Sequence, residues 1–209
     1  AVLRLRERAA LGVKVAPGLP YTAVPRDAHA QWVSVDGAVV EAGLWFGAVA
    51  PEGPGRSALV IDREEPRTMT ATPGTAPDSP APAGAVRPLG AVLYEPDGAV
   101  IRAGLVAQLA EDLGAGLVST DIAYLTADDA VSTPFATAYR VLDQLPFGLK
   151  RLRAYLRDQD VGSVTIKKRG TAVEPERLRR QLALDGSRAT TLVLTRLAGR
   201  QSVLVVEPL

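Results

Sequence analysis

The feature that most constrains this 209-residue chain is a run of prolines: Pro66, Pro73, Pro77, Pro80, Pro82 and Pro88, set among Gly, Ala and Thr. Proline fixes φ and has no amide hydrogen, so such a stretch can form neither a helix nor a central strand. It reads as an extended linker over residues 66–87 and divides the chain into two parts, each of which must build its own core.

Before the linker the chain is strand-rich. VKVAPGLP, Val13 to Pro20, is a short strand ending in a Pro-Gly turn. QWVSVDGAVVEAGLWFG, Gln31 to Gly47, is a hairpin around Asp36-Gly37, the dipeptide that a type I′ turn requires because both central residues take positive φ. SALVID, Ser57 to Asp62, adds another strand. Four strands and a short N-terminal helix with no second layer make a poor domain alone. Ala1 stands inside a basic amphipathic pattern, AVLRLRERAALG, with no N-cap in front, so the chain is expected to be a fragment of a longer protein.

After the linker, AVLYEP (Ala91 to Pro96) is a strand, and Asp97 caps a helix expected over Gly98 to Leu113. DIAYLT is a further strand. Phe135 to Leu142 (strand), Phe147 to Asp158 (helix), Val161 to Lys167 (strand), a Pro175-led helix to about Leu184, and strands Thr190–Leu197 and Ser202–Val206 then follow in the order β-α-β-α-β-β. That order is that of a small α+β sandwich with helices on one face of a mixed sheet.

Charge is unevenly spread. Residues 140–209 hold fourteen Lys or Arg against seven Asp or Glu, whereas residues 1–139 hold ten against sixteen, giving the net +1. An asymmetry of this kind points to an anionic partner for the second half. The chain has no cysteine, so disulfides and thiolate metal sites are excluded, and it has no apolar run of membrane-spanning length, so it is expected to be soluble and cytoplasmic. His29 is read as a surface or turn histidine. The pairs Asp128-Asp129 and Glu64-Glu65 are read as solvated charges or helix N-terminal acids, with no metal site.

Several segments, taken in order, carry a resemblance: VKVAPGLP, the hairpin ending VEAGLWFG, LYEPDGAVIRAGL, IAYLT, and the helix-strand pair ending VTIKKRG. Together they resemble the C-terminal part of a bacterial family common in actinobacteria. Its members are class I S-adenosylmethionine-dependent methyltransferases with a C-terminal THUMP-like domain. The resemblance implies an α+β (α/β) fold in several pieces. Residues 1–65 would be the last strands of a Rossmann-like methyltransferase domain, 88–132 a ferredoxin-like connecting segment, and 133–209 the THUMP-like domain. It also implies an RNA partner, tRNA or rRNA, and S-adenosylmethionine as cofactor of the full-length parent.

The glycine-rich loop that would hold the cofactor is missing from this chain. Gly114-Ala115-Gly116 follows a helix rather than a strand, so the fragment is expected to bind no cofactor and to be inactive.

Tyr94, Glu95 and Asp97 form either a loop facing the parent's active site or a strand end with a helix cap. Lys167, Lys168 and Arg169 are either a solvated strand end or, with Lys150, Arg151 and Arg153 of the preceding helix, a phosphate-backbone contact surface past which Gly170 lets the backbone approach. Aromatic residues for base stacking are sparse there, so such binding would read shape and backbone rather than sequence. The alternative is a scaffold or homodimerisation module of a methyltransferase with a non-RNA substrate.

Overall fold

The computed structural model describes residues 4–5, 9–79 and 84–209. The helix expected over the first nine residues lies largely outside them. The described chain divides into two compact units: Ala1–Ala83 with Pro96–Asp112 and Thr133–Ala136, and Gly84–Glu95 with Leu113–Ser132 and Thr137–Leu209.

The first unit holds a five-stranded sheet of β1 (Leu11–Val15), β2 (His29–Val35), β3 (Ala38–Phe46), β4 (Gly55–Asp62) and β5 (Glu65–Thr70) in the order β1-β3-β2-β4-β5. The Asp36-Gly37 turn forms as expected, with φ of 47° and 78°. β5 falls inside the stretch read as linker. It returns antiparallel to β4 through Arg63 and Glu64, both at positive φ (49° and 67°). Neither residue type marks such a turn, which is why the sequence conceals this hairpin.

The missing second layer comes from further along the chain. Helix α1 (Gly98–Ala103) packs on β2 and β4 and buries Ala99, Val100 and Ala103 completely. The long helix expected over 98–113 is broken at Gly104, whose φ of 69° gives α1 a left-handed cap before α2 (Val106–Asp112). The helices of residues 88–132 belong to the first unit and their strands to the second.

The second unit is built on a seven-stranded mixed sheet. Its strands are β6 (Val92–Pro96), β7 (Gly116–Ser119), β8 (Ile122–Ala127), β9 (Ala136–Pro146), β10 (Val161–Lys168), β11 (Arg188–Leu197) and β12 (Arg200–Pro208), in the order β10-β11-β12-β9-β6-β8-β7. β7 was not foreseen: four residues behind a glycine pair give too short a pattern. β10 runs parallel to β11, and β11 and β12 form a hairpin turning on Ala198-Gly199.

Strand alternation feeds two cores. On one face Leu145, Leu192, Leu194, Val203 and Val205 pack against Leu152 and Leu156 of α3 (Leu149–Asp158) and Leu178 and Leu182 of α4 (Pro175–Leu182). Each helix contributes leucines one turn apart, and full burial of each side chain stabilises by about 1.5–3 kcal/mol. On the other face Tyr139, Val193, Leu204 and Val206 meet Leu93, Val118, Ile122 and Tyr124, so the sheet curls back on itself. Ala198 N donates to Val118 O at 3.3 Å across that curl. No helix among the described residues is long and apolar enough to cross a membrane.

Candidate nucleic-acid interface

The three consecutive cations at the end of β10 are distributed by the same alternation. Val164 and Ile166 face the helices, so Lys168 shares their side and Lys167 and Arg169 point into the curl of the sheet. There Lys167 Nζ donates to Glu95 Oε2 at 2.6 Å, with the lysine 34% and the glutamate 22% exposed. The hydroxyls of Tyr124 and Tyr139 donate weakly to the same carboxylate at 3.5 and 3.4 Å. The ammonium also lies 5.5 Å from the Tyr139 ring centroid, and the Arg169 guanidinium lies 5.4 Å from that of Tyr124.

The electrostatics follow from this packing. Burial pushes the Tyr124 hydroxyl well above its ordinary range and Glu95 adds to the rise, against the opposing pull of Arg169 and Lys167. For Lys167 burial favours the neutral amine. The bonds to Glu95 and Tyr139, with the charge of Glu95, outweigh it and raise the pKa well above the usual lysine value. Lys167 is thus tied into an internal network with Glu95 and Tyr139.

The helical face carries the other cations. Lys168 Nζ donates to Glu174 at 3.1 Å. Lys150, Arg151, Arg177 and Arg180 are exposed, while Arg153 donates to the Gln181 carbonyl and Arg157 to that of Ala183 at 3.4 Å, bridging α3 to α4. The two helices together hold seven Lys or Arg against only Asp158 and Glu176, which leaves a strongly cationic layer. The six cations singled out from the sequence are therefore split between two faces. Lys150, Arg151, Arg153 and Lys168 lie on the helical side, with Lys167 and Arg169 on the other.

Gly170 serves packing. Its φ is 74°, and a Cβ there would stand 2.5 Å from Ile122 Cδ1. Tyr94 and Asp97 likewise have local roles. The Tyr94 ring is fully buried and its hydroxyl accepts from Val131 N at 2.7 Å. Asp97 Oδ1 accepts from Ala99 N at 2.7 Å and caps α1.

Sequence reasoning missed Tyr124, Tyr139, Asp121 and Arg196. Asp121 pairs with Arg196 at 2.5 Å across 75 residues of chain, a separation that leaves no local pattern.

His29 is not at the surface: it is 1% exposed, against the expectation. Nε2 lies 2.8 Å from Ser57 Oγ and 3.4 Å from Glu52 Oε1, and Nδ1 3.2 Å from Gly53 O. Serine and carboxylate crowd the same nitrogen, and Ser57 is itself buried, so the trio cannot work as a hydrolytic triad. It pins the loop before β4 to the sheet. Among the described residues no cluster of His, Asp or Glu could hold a metal ion.

The connection from β6 to α1 leaves no room for a glycine-lined cradle. At β6–α1 the cap position is filled by Asp97, and Gly98 sits against Val39, where a Cβ would come within 2.4 Å of Val39 Cγ2.

Comparison with known proteins gives three findings. Residues 136–208 match the family described as THUMP domain-like. Two curated relatives from Mycobacterium tuberculosis strains, both named uncharacterized S-adenosylmethionine-dependent methyltransferases, are 38% identical over 188 residues, covering 88% of this chain and 49% of each relative. The chain thus spans about half the length of the curated relatives it matches. A crystal structure of a Porphyromonas gingivalis W83 protein, provisionally named a methyltransferase, superposes with a TM-score of 0.77 at 17% identity, over 98% of this chain and 53% of that one. At that identity the likeness concerns the fold.

Proposed function

Residues 136–208 being a THUMP-like domain, we propose that the chain is the RNA-docking portion of an S-adenosylmethionine-dependent methyltransferase acting in the cytoplasm. In this reading the first unit is the end of a Rossmann-like catalytic domain, and the methyl-donor site lies in the part of the relatives that the chain does not span. The chain alone then binds no S-adenosylmethionine and transfers no methyl group.

The observation that carries the reading is the cationic α3–α4 layer. Lys150, Arg151, Arg177 and Arg180 stand exposed on a rigid two-helix surface, a phosphate-tracking arrangement without aromatic platforms. Arg153 and Lys168 border it. Binding should therefore depend on RNA shape and charge rather than on sequence.

Filter binding of structured and single-stranded RNA across a salt series tests this. About five phosphate contacts give a log-affinity against log-salt slope of about −3 to −4 on single strands. Lys150→Ala with Arg151→Ala should flatten that slope by somewhat more than one unit and lower affinity alike for different sequences. Absence of salt-sensitive binding would leave the scaffold or dimerisation role in its place.

A further inference from the structure

We infer that a slot between the first turns of α3 and α4 receives one unpaired nucleobase of the docked RNA. This deepens the RNA-docking reading above and rests on it.

The slot opens to solvent and has a volume of about 270 Å³. Buried Leu178 and the half-buried Phe147, Leu149 and Val173 make it apolar. Arg177 and Gln181, one turn apart on α4, add its polar wall. Leu149 and Arg153 are likewise one turn apart on α3, and Arg153 donates to the Gln181 carbonyl, which ties the two helices together beside the slot. Phe147 N donates to Gln201 O at 3.2 Å and fixes the chain as it enters α3. The slot is therefore preformed.

Apolar walls inside a cationic layer identify the occupant. A surface built for phosphates alone gains nothing from them. A nucleotide meets both demands in one unit, with flat apolar ring faces and a phosphate on each side. The two helices carry seven Lys or Arg against Asp158 and Glu176, so a polyanion is drawn to the mouth. Exposed Arg177 lines the slot, and exposed Lys150 adjoins Leu149 in the chain. Glu174 also lines it, but its carboxylate is paired with Lys168 at 3.1 Å. The volume falls below the roughly 300–1,000 Å³ of drug-sized ligand pockets, so the slot suits a single ring system. A base stacked in a duplex cannot enter, whereas a bulge, loop or end presents one. Because the walls are aliphatic apart from Phe147, the slot makes a demand on RNA structure and little on base identity.

The experiment is filter binding of the full chain to three RNA hairpins matched in phosphate number, at one low salt concentration. One carries a single bulged adenosine, the second has that adenosine paired, and the third has an abasic ribose at the bulge. The bulged adenosine should bind about tenfold tighter than the paired form, the lower part of the range for one stacked base. The abasic hairpin should fall back to the paired value. Ala172→Met, at an exposed position lining the slot, should fill it and bring the bulged hairpin to the affinity of the paired one.

Equal, salt-sensitive binding of all three hairpins keeps the RNA-docking reading, overturns the base slot and leaves it to an apolar side chain of a protein partner. An abasic hairpin that binds as tightly as the bulged adenosine also overturns it, because backbone flexibility is then what is recognised. If no hairpin binds, the RNA-docking reading falls and the slot with it. The three wild-type affinities decide the matter even if Ala172→Met fails to fold.

Discussion

Replacing Lys167 by Met removes the charge, keeps the aliphatic stem, and leaves Glu95 without its cation. Truncating one partner of a fully buried pair costs about 3–5 kcal/mol, whereas an exposed pair is worth about 0–1. Glu95 is 22% exposed, and its remaining donors, Tyr124 and Tyr139, stand at 3.5 and 3.4 Å, the outer limit of a hydrogen bond. The site lies between the two limits and nearer the buried one, so Lys167→Met should cost about 2 kcal/mol.

Glu95→Gln should cost less, about 1 kcal/mol, because the lysine can swing its ammonium to water. The double variant should be less destabilised than the two singles combined, with a coupling of about 1 kcal/mol. Lys168→Met is the control: its partner Glu174 is 71% exposed, so the change should stay within about 0.5 kcal/mol. Urea unfolding at neutral pH, with amide exchange of β10 as the local probe, measures all four. If Lys167→Met and Lys168→Met fall within about 0.5 kcal/mol of each other, the internal network is not holding Lys167. Should Lys167→Met instead lose RNA affinity with no loss of stability, the lysine is a phosphate contact after all.

Three further outcomes follow from the same geometry. Lys167 and Tyr124 both have raised pKa values, so their contribution to stability is complete below the unfolded values, about 10, and falls as pH climbs from there toward the folded ones; alkaline unfolding should begin near pH 10, and Tyr124→Phe should flatten that dependence in urea titrations at pH 8 and 11. Gly170→Ala places a Cβ against Ile122 at positive φ and should cost about 1–3 kcal/mol by urea unfolding, only partly relieved by Ile122→Val, because the shorter side chain removes the clash and not the backbone strain; a neutral Gly170→Ala would refute it. Glu64→Gly relaxes a left-handed position in the β4–β5 turn and should raise the stability of the first unit by about 1 kcal/mol in calorimetry, an unchanged or lower melting temperature being the contrary result.

Elements with strong local signals were legible from sequence. The Asp36-Gly37 hairpin, Asp97 as a cap, the α3 and α4 leucine stripes and the proline-led start of α4 follow from chemistry within a few residues. The β4–β5 hairpin was not, because Arg63 and Glu64 adopt left-handed conformations that their types disfavour. The candidate site was legible as charge but not as connectivity. That Lys167-Lys168-Arg169 alternates across a strand is periodicity, yet the partners that decide each residue's role, Glu95, Glu174 and Tyr124, lie 72, 6 and 45 positions away. Only the folded sheet brings them together.

The interleaving of the two units has a consequence for biosynthesis. The sheet of the first unit is complete at Thr70, but the helix that covers it begins at Gly98, after β6 of the other unit has already been made. A ribosome producing this chain at about 5–20 residues per second therefore holds an uncovered five-stranded sheet for several seconds. During that interval Ala99, Val100 and Ala103, which α1 buries in the finished protein, are not yet in place on β2 and β4. A stall between Thr70 and Gly98 should leave a nascent chain that chaperones bind, and one past Asp112 should release it.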